Sequence, residues 1–415
     1  MSRFNKIVYP ICCGMDVHRD FLIACVASTN DVGVTTYESK RFSTFAGSLR
    51  DLCAWLAARN CRDVCMESTG KYWFHIHRAL EKSCNVVVTH PKFVKAIKGK
   101  KTDKKDAQWI ADLFKHDFVR GSFIPPEDIR SLRDLCRYWC KLTSCTTGEK
   151  NRFHNCLTVS GFKLDAVFTN VFGKSASGII EHLLAHPGEE FDVAQFVSGR
   201  CKTPIEQIQA AVDGEFAPQQ ADKLRIIRSH MDFLEELKRR LEAAILAIAD
   251  KYPAHMELLL TVPGIADRLT AARIIGEIGV NMSVFETSKH LTSWAGLTPQ
   301  NAESAGKKKT TRIGKAGIHI KPLLVQIAIA ASRSDKYPEL KLKRLILKKR
   351  RGGKKATIAI ARRLLTAIYH MFARGVEYRP FVAADKPPKP RHLTPQQALK
   401  LVAKLGYTIT EPEVA

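Results

Sequence analysis

Residues 11–27, ICCGMDVHRDFLIACVA, decide how the first third of the chain is read. Two short apolar runs, 11–16 and 21–27, flank a polar turn at His18, Arg19 and Asp20. That pattern predicts a hairpin of two buried strands. Working outward, 33–42 predicts a third strand and completes an antiparallel meander. Residues 45–59 place Leu49, Leu52, Trp55 and Leu56 at helical spacing. A buried strand over 63–66, a helix over 72–82, a β-branched strand over 85–89 and a helix over 103–115 follow. The order β-β-β-α-β-α-β-α predicts a mixed sheet flanked by helices, the ribonuclease H-like arrangement.

The rest of the chain reads as helical, so the fold class is α/β plus α. Helices are expected over 131–157, 204–212 and 222–250. The last carries Leu224, Ile227, Met231, Leu234, Leu237, Leu241, Ile245 and Ile248 at spacings of three or four. An antiparallel hairpin, a dimer coiled coil and a core role within one subunit would all use that stripe. Residues 258–280, LLLTVPGIADRLTAARIIGEIGV, predict a helix, a Pro-Gly turn and a second helix. In a helix-hairpin-helix, Gly264 would let the backbone approach a phosphate, which the next helix start would bind. A plain αα-turn is the alternative. Residues 296–317 read as loop-rich, and 325–331 and 358–372 as helical. Six prolines between 380 and 412 mark a linker, with a short helix near 394–405 and a tail.

The chain has 415 residues, enough for two or three domains. Hydrophobic residues at 45% and charged residues at 26% exclude global disorder. No apolar run reaches the roughly 18–20 residues of a membrane span, and MSRFNKIVYP lacks a secretory leader's apolar stretch. The expectation is a soluble intracellular protein with no membrane partner. Twelve cysteines all fall between Cys12 and Cys201 without a CxxC pair, which favours buried reduced thiols over a zinc site. Sixty-six Lys+Arg against 41 Asp+Glu give a net charge of +25 and imply a polyanionic partner, most simply nucleic acid. The charge is concentrated. Between residues 305 and 363, 19 Lys+Arg face only Asp335 and Glu339, a local charge of +17. A second cluster, Lys92, Lys95, Lys98, Lys100, Lys101, Lys104 and Lys105, lies in the first third.

Two constellations carry chemistry. Asp16 ends the first strand in GMDVHRD, Glu67 ends the strand DVCME, and Asp103 and Asp106 share a helix face in KTDKKDA. Acids that end neighbouring strands and start a nearby helix can converge. Converging carboxylates repel unless a cation neutralises them, and hard oxygen ligands favour Mg²⁺ or Mn²⁺. Two such ions would hold a scissile phosphate and stabilise the attacking and leaving oxygens. Lys100, Lys101, Lys104 and Lys105 surround the last pair and suit phosphate contacts or charge compensation. The second constellation is Ser304 in a Ser-Ala-Gly loop ahead of Lys307, Lys308, Lys309, Arg312 and Lys315. Its hydroxyl attacks phosphorus only if its proton is removed and the developing charge is stabilised. A turn serine beside a basic loop is the plainer reading.

GMDVHRD, CMESTGKYW, THPKFVKAIKGKKTDKKDAQWIADL, NRFHNCL with VFGKSASGII, TVPGIADRLTAARIIGEIG and GLTPQNAESAGKKKTTRIGKAG occur in this order over about residues 11–375. As an ordered set they resemble the insertion-sequence transposases that join a DEDD RuvC-like nuclease domain to a C-terminal serine-bearing transposase domain and are guided by a structured bridge RNA. The resemblance implies a nuclease domain over 1–150, a helical coiled-coil linker over 151–252, a transposase domain over 253–380 and a Pro-rich tail over 381–415. It implies that Asp16, Glu67, Asp103 and Asp106 hold Mg²⁺ while Ser304 joins covalently to a DNA phosphate. Partners implied are donor and target DNA, the RNA, and further copies of the chain. The acids of one subunit would work with the serine of another in a dimer that pairs into a tetramer. A bacterial cytoplasmic, nucleoid-associated location follows. A departure is Ile318, where family members often carry Asn after the glycine. The rival reading is a junction-resolving endonuclease that uses only the four acids and water.

Overall fold

The computed structural model describes residues 6–94, 102–199, 201–299, 302–304, 307–310 and 312–380, with residues 396, 399 and 402. It divides into two compact units, Met1–Ser131 and Leu132–Ala415.

The first unit is built on strands β1 (Ile11–Val17), β2 (Phe21–Thr29) and β3 (Thr35–Ser43), helix α1 (Ala46–Ala57), strand β4 (Asp63–Glu67), helix α2 (Trp73–Leu80), strand β5 (Asn85–Thr89), and helices α3 (Pro91–Val94) and α4 (Asp103–Lys115). The sheet order is β3-β2-β1-β4-β5, with β1 to β3 antiparallel and β4 and β5 parallel to β1. This is the mixed, helix-flanked sheet expected from the sequence. The pleat sorts the side chains. Met15, Val17, Val64 and Met66 pack with Leu52, Leu56, Ile76 and Leu80 on the face covered by α1 and α2. Cys12, Ala27 and Cys65 pack with Ile110, Ala111 and Phe114 of α4 on the other. The cysteines belong to these cores, and burial pushes the Cys12, Cys61 and Cys65 thiols up to about 12. Thiols held that high are inert at neutral pH.

Helix α5 (Glu127–Val159) contains the division between the units at residues 131 and 132. The second unit continues with α6 (Leu164–Val167), α7 (Lys174–Ala185), α8 (Ile205–Ala211), α9 (Pro218–Ala249), α10 (Pro253–Leu260), α11 (Arg268–Ile278), α12 (Ser288–Trp294), strands β6 (Ala302–Ser304) and β7 (Lys307–Thr310), and helices α13 (Ile320–Arg333), α14 (Pro338–Arg351) and α15 (Gly353–Arg374). Leu224 and Ile227 of α9 are buried with Phe153, Leu157, Ile179, Ile180 and Ile208, so this end of the long helix serves its own unit's core. Farther along, Phe233 is 59% exposed. Arg133 and Arg137 of α5 grip the end of α11. Arg133 donates to the Gly276 and Glu277 carbonyls, and Arg137 pairs with the buried Glu277 carboxylate at 2.8 and 2.9 Å.

Helices α3, α6, α7, α12 and α14 lie where the sequence reading places none. α7 begins KSASG, whose two serines and glycine disfavour a helix start, and is held by burial of Ile179, Ile180 and Leu184. α14, hidden inside the basic run, starts with Pro338 and Glu339 and ends with Lys348, Lys349, Arg350 and Arg351, the charge order that a helix dipole favours. Residues 296–317, expected as loop, contain the β6-β7 hairpin. The expected helix near 394–405 lies outside the described residues except for Gln396, Leu399 and Val402, which are helical. Among the described residues, no helix is long and apolar enough to cross a membrane.

Candidate active site

Strand alternation and one glycine bring the acids together. Asp16 shares its face of β1 with Cys12 and Gly14, and Glu67 shares its face of β4 with Cys65. Both therefore stand on the side covered by α4. At Gly14 the helix backbone lies directly on the strand: a Cβ there would meet the Ala107 carbonyl oxygen and the Ala111 nitrogen, each at 2.3 Å. From that contact, Asp16 is two strand residues onward, about 6.6 Å. Asp103 is four helix residues back from Ala107, about 6 Å. The first turn of α4 is thereby delivered to the end of β1. Parallel pairing of Met15 with Met66 sets Glu67 beside Asp16 on the neighbouring strand.

Asp16 is mostly buried, its side chain 13% exposed, while Asp103 is 49% exposed. Burial pushes the Asp16 carboxyl above its ordinary range. His18 opposes that shift, and the negative charges of Asp106, Asp103 and Glu67 add to it. Asp16 thus feels the other three acids, and of these Asp103 comes within ligand distance of it. Thr69 donates its hydroxyl to Glu67 Oε1 at 3.2 Å and orients that carboxylate. Thr102 caps α4 by accepting from the Lys105 amide. Lys104 and Lys105 are exposed beside the acids; Lys100 and Lys101 lie outside the described residues.

His18 is absent from the set that the sequence nominates, and the structure puts it in the cluster. Its Nε2 lies 3.3 Å from Asp16 Oδ2 and 3.7 Å from Asp103 Oδ2. That nitrogen is buried and makes no hydrogen bond among the described residues. Ligand atoms of Asp16, His18 and Asp103 all lie within 4.8 Å of one another. A divalent cation fits this donor set: it would relieve the carboxylate repulsion and give the orphaned nitrogen a partner. The available signal is position alone, since His18 is two residues beyond Asp16.

Ser304 ends β6, and its backbone pairs with Lys307 across the hairpin. Lys307, Lys308 and Lys309 form the opposing strand β7. The hairpin is tied at its base. Gly296 and Gly317 both adopt positive φ (+66° and +70°), and their Cβ positions would lie 2.3 Å from the Ala316 oxygen and 2.1 Å from the Ala295 oxygen. Lys321 donates to the Gly314 carbonyl at 2.8 Å, and Pro299 bridges Ile313. Arg312 and Lys315 are exposed on this loop, and Ile318 is 75% exposed beyond it.

Gly264 has a structural reason of its own. Its φ is +84°, and a Cβ would stand 2.4 Å from the Ile327 oxygen of α13. The start of α11 is capped by Asp267, which accepts from the Thr270 amide at 2.7 Å. Helices α10 and α11 flank this Pro-Gly turn.

Residues 13–161 match a DEDD transposase family model of the IS110 type, and residues 256–343 match the transposase family IS116/IS110/IS902. The chain is 24% identical over 379 residues to the transposase for insertion sequence element IS1111A of Coxiella burnetii, covering 88% of this chain and 90% of that one. It is 34% identical over 127 residues to a pilin gene-inverting protein of Moraxella bovis, covering 30% of this chain and 38% of that protein. A Fowlpox virus resolvase, solved with Holliday junction DNA, matches at 16% identity over 25% of this chain and 72% of that chain, with a TM-score of 0.18. The first match contains all four acids and the second contains Ser304. With both in this order along one chain, the protein is a DNA transposase, and two of its regions match IS110-type transposase models.

Proposed function

We propose that this transposase is an RNA-guided, site-specific recombinase in which the acid cluster and Ser304 share one reaction. The observation that supports the reading is that Asp16 and Asp103 meet at the end of β1, with Glu67 on the neighbouring strand and Asp106 in the same helix turn as Asp103. Asp16, Glu67, Asp103 and Asp106 would hold Mg²⁺ or Mn²⁺, which when bound neutralises charge on the scissile phosphate. Asp16, mostly buried on β1, anchors the cluster, and Thr69 orients the Glu67 carboxylate. Ser304 Oγ bonds to phosphorus, the bond from phosphorus to one strand oxygen breaks, and the serine proton ends on the departing hydroxyl. The product is a serine–phosphate diester that a second strand's hydroxyl reopens by the reverse step. Lys307, Lys308, Lys309, Arg312 and Lys315 hold the phosphates near the serine, Lys104 and Lys105 those near the acids, with Lys100, Lys101 and the Gly264 turn as further backbone contacts. The +17 segment supplies the surface for donor DNA, target DNA and a structured RNA.

The domain assignments 1–150, 151–252, 253–380 and 381–415 belong to this reading. So does an assembly of dimers into a tetramer through the α9 helix, whose exposed Ile226 and Phe233 are seven residues apart. The test is a protein–DNA adduct that survives denaturation. It is expected with the wild-type chain and a divalent ion, and lost with Ser304→Ala. Free cut ends with no adduct would favour hydrolysis by the acids and water instead. RNA guidance is tested on the same preparation: reprogramming the copurifying RNA should move the insertion site, and an unmoved site would overturn it.

A further inference from the structure

We infer that His18 is a nitrogen ligand of the divalent ion at the acid cluster and biases the site toward Mn²⁺ over Mg²⁺. The inference rests on the reading that Asp16 and Asp103 hold an ion and adds a donor that the four-acid set lacks. Three observations support it. His18 Nε2 stands 3.3 Å from one carboxylate oxygen and 3.7 Å from another, on different elements. Adjacent ligands about 2.1 Å from an octahedral ion stand about 3.0 Å apart, so these spacings are those of neighbouring ligands slightly open around a centre. The same nitrogen is buried without a hydrogen bond among the described residues, although both carboxylates are within ion-pair distance. A charge-assisted bond would satisfy it if its role were to pair with an acid. Finally, the ring is held in place. The His18 amide donates to the Phe21 carbonyl at 2.9 Å to close the β1-β2 turn. Its ring lies against Phe21 with centroids 4.6 Å apart, and the Arg41 guanidinium covers that phenyl ring at 3.9 Å.

The donor set then has chemical consequences. Carboxylates serve Mg²⁺ and Mn²⁺ alike, whereas an imidazole nitrogen suits transition ions and contributes little to a hard Mg²⁺ site. Removing the imidazole should therefore weaken Mn²⁺ more than Mg²⁺.

The experiment uses the full chain with Mn²⁺ as probe. Pulsed electron paramagnetic resonance on bound Mn²⁺ should show a directly bonded ¹⁴N coupling, which changes to ¹⁵N when the protein is grown with ¹⁵N-histidine. His18→Ala should abolish the coupling, and titration should show Mn²⁺ affinity falling about tenfold or more with Mg²⁺ affinity changed less. Mn²⁺ that binds, is displaced by Asp16→Asn, and shows no nitrogen coupling in the wild-type chain would overturn the His18 assignment and leave the acid site standing. Mn²⁺ binding indifferent to Asp16→Asn would overturn both. The isotope measurement on the wild-type chain decides the matter even if His18→Ala folds poorly.

Discussion

The acid cluster and the serine hairpin belong to different units and are built in opposite ways. The acids stand on the central strand of a five-stranded sheet, its neighbour and a packed helix. Asp16 is mostly buried, and a helix backbone closes over Gly14 two residues away. Ser304 ends a three-residue strand in a two-stranded ribbon, fixed through the backbone contacts of Gly296 and Gly317. Two-stranded ribbons have little stability of their own. A group of like charges needs positions fixed to a fraction of an ångström, which only a core provides. A single nucleophile needs only a defined base and freedom to reach its phosphate.

The largest effects should come from the chemistry. Asp16→Asn is expected to reduce strand cleavage and exchange by at least about 10²–10³-fold, measured on a supercoiled donor substrate. Ser304→Ala should remove exchange and the covalent adduct together while divalent-ion binding stays at wild-type affinity. If Ser304→Ala also lost the ion, the two regions would not be separable and the contrast would fail.

Backbone contacts come next. Gly14→Ala forces a Cβ against two backbone atoms, and strain of this kind costs about 1–3 kcal/mol. It should lower the thermal midpoint and weaken Mn²⁺ binding, because the first turn of α4 must shift with the helix. Gly317→Ala meets a similar clash at positive φ, yet should leave ion binding intact and depress only adduct formation. Equal loss of ion affinity in both variants would erase the distinction.

A smaller effect tests the charge. Replacing the exposed Lys348, Lys349, Arg350 and Arg351 with glutamine should weaken nucleic-acid binding and flatten its salt dependence. The slope of log K against log salt should become shallower by about 0.9 for each phosphate that the variant no longer neutralises. An unchanged slope would remove α14 from the binding surface.

The smallest is a stability shift in the metal-free protein. The Asp16 carboxyl titrates above its unfolded value of 3.8, mainly through burial and then through its acidic neighbours. Between those two values the folded state binds more protons than the unfolded one, so this group's contribution to stability falls as pH rises through the window. Asp16→Asn should therefore raise the midpoint at neutral pH and leave it unchanged well below pH 3.8. A lower midpoint at neutral pH would mean that the charge is stabilised in the metal-free protein.

Much of the first unit is legible in the chain. Strand β5 and helix α4 have the bounds expected, because their apolar periodicities start and stop at clear polar residues. The acids can be nominated because strand ends and a helix start are visible in the pattern. Their convergence is not visible, because it depends on the α4 crossing at Gly14, and nothing local to GMDVHRD announces which helix will lie there. His18 escapes for the same reason: two residues after Asp16 it reads as a turn residue, and only the helix brings Asp103 to its Nε2. In the second unit, α7 escapes because burial of Ile179, Ile180 and Leu184 outweighs the unfavourable Ser175, Ser177 and Gly178 at its start. Residues 302–310 read as loop because three- and four-residue strands carry too few alternations to register.

By itself, then, the sequence determined the order of elements, the faces that alternation buries, and where the positive charge lies, since each is a property of neighbouring residues and their period. Tertiary structure decided which acids share a space, that a histidine joins them, and that the serine loop closes at its base through two glycines. Each of these is a meeting of residues distant in the chain. Such meetings rest on backbone-to-backbone approaches that glycine permits, and no local pattern records them.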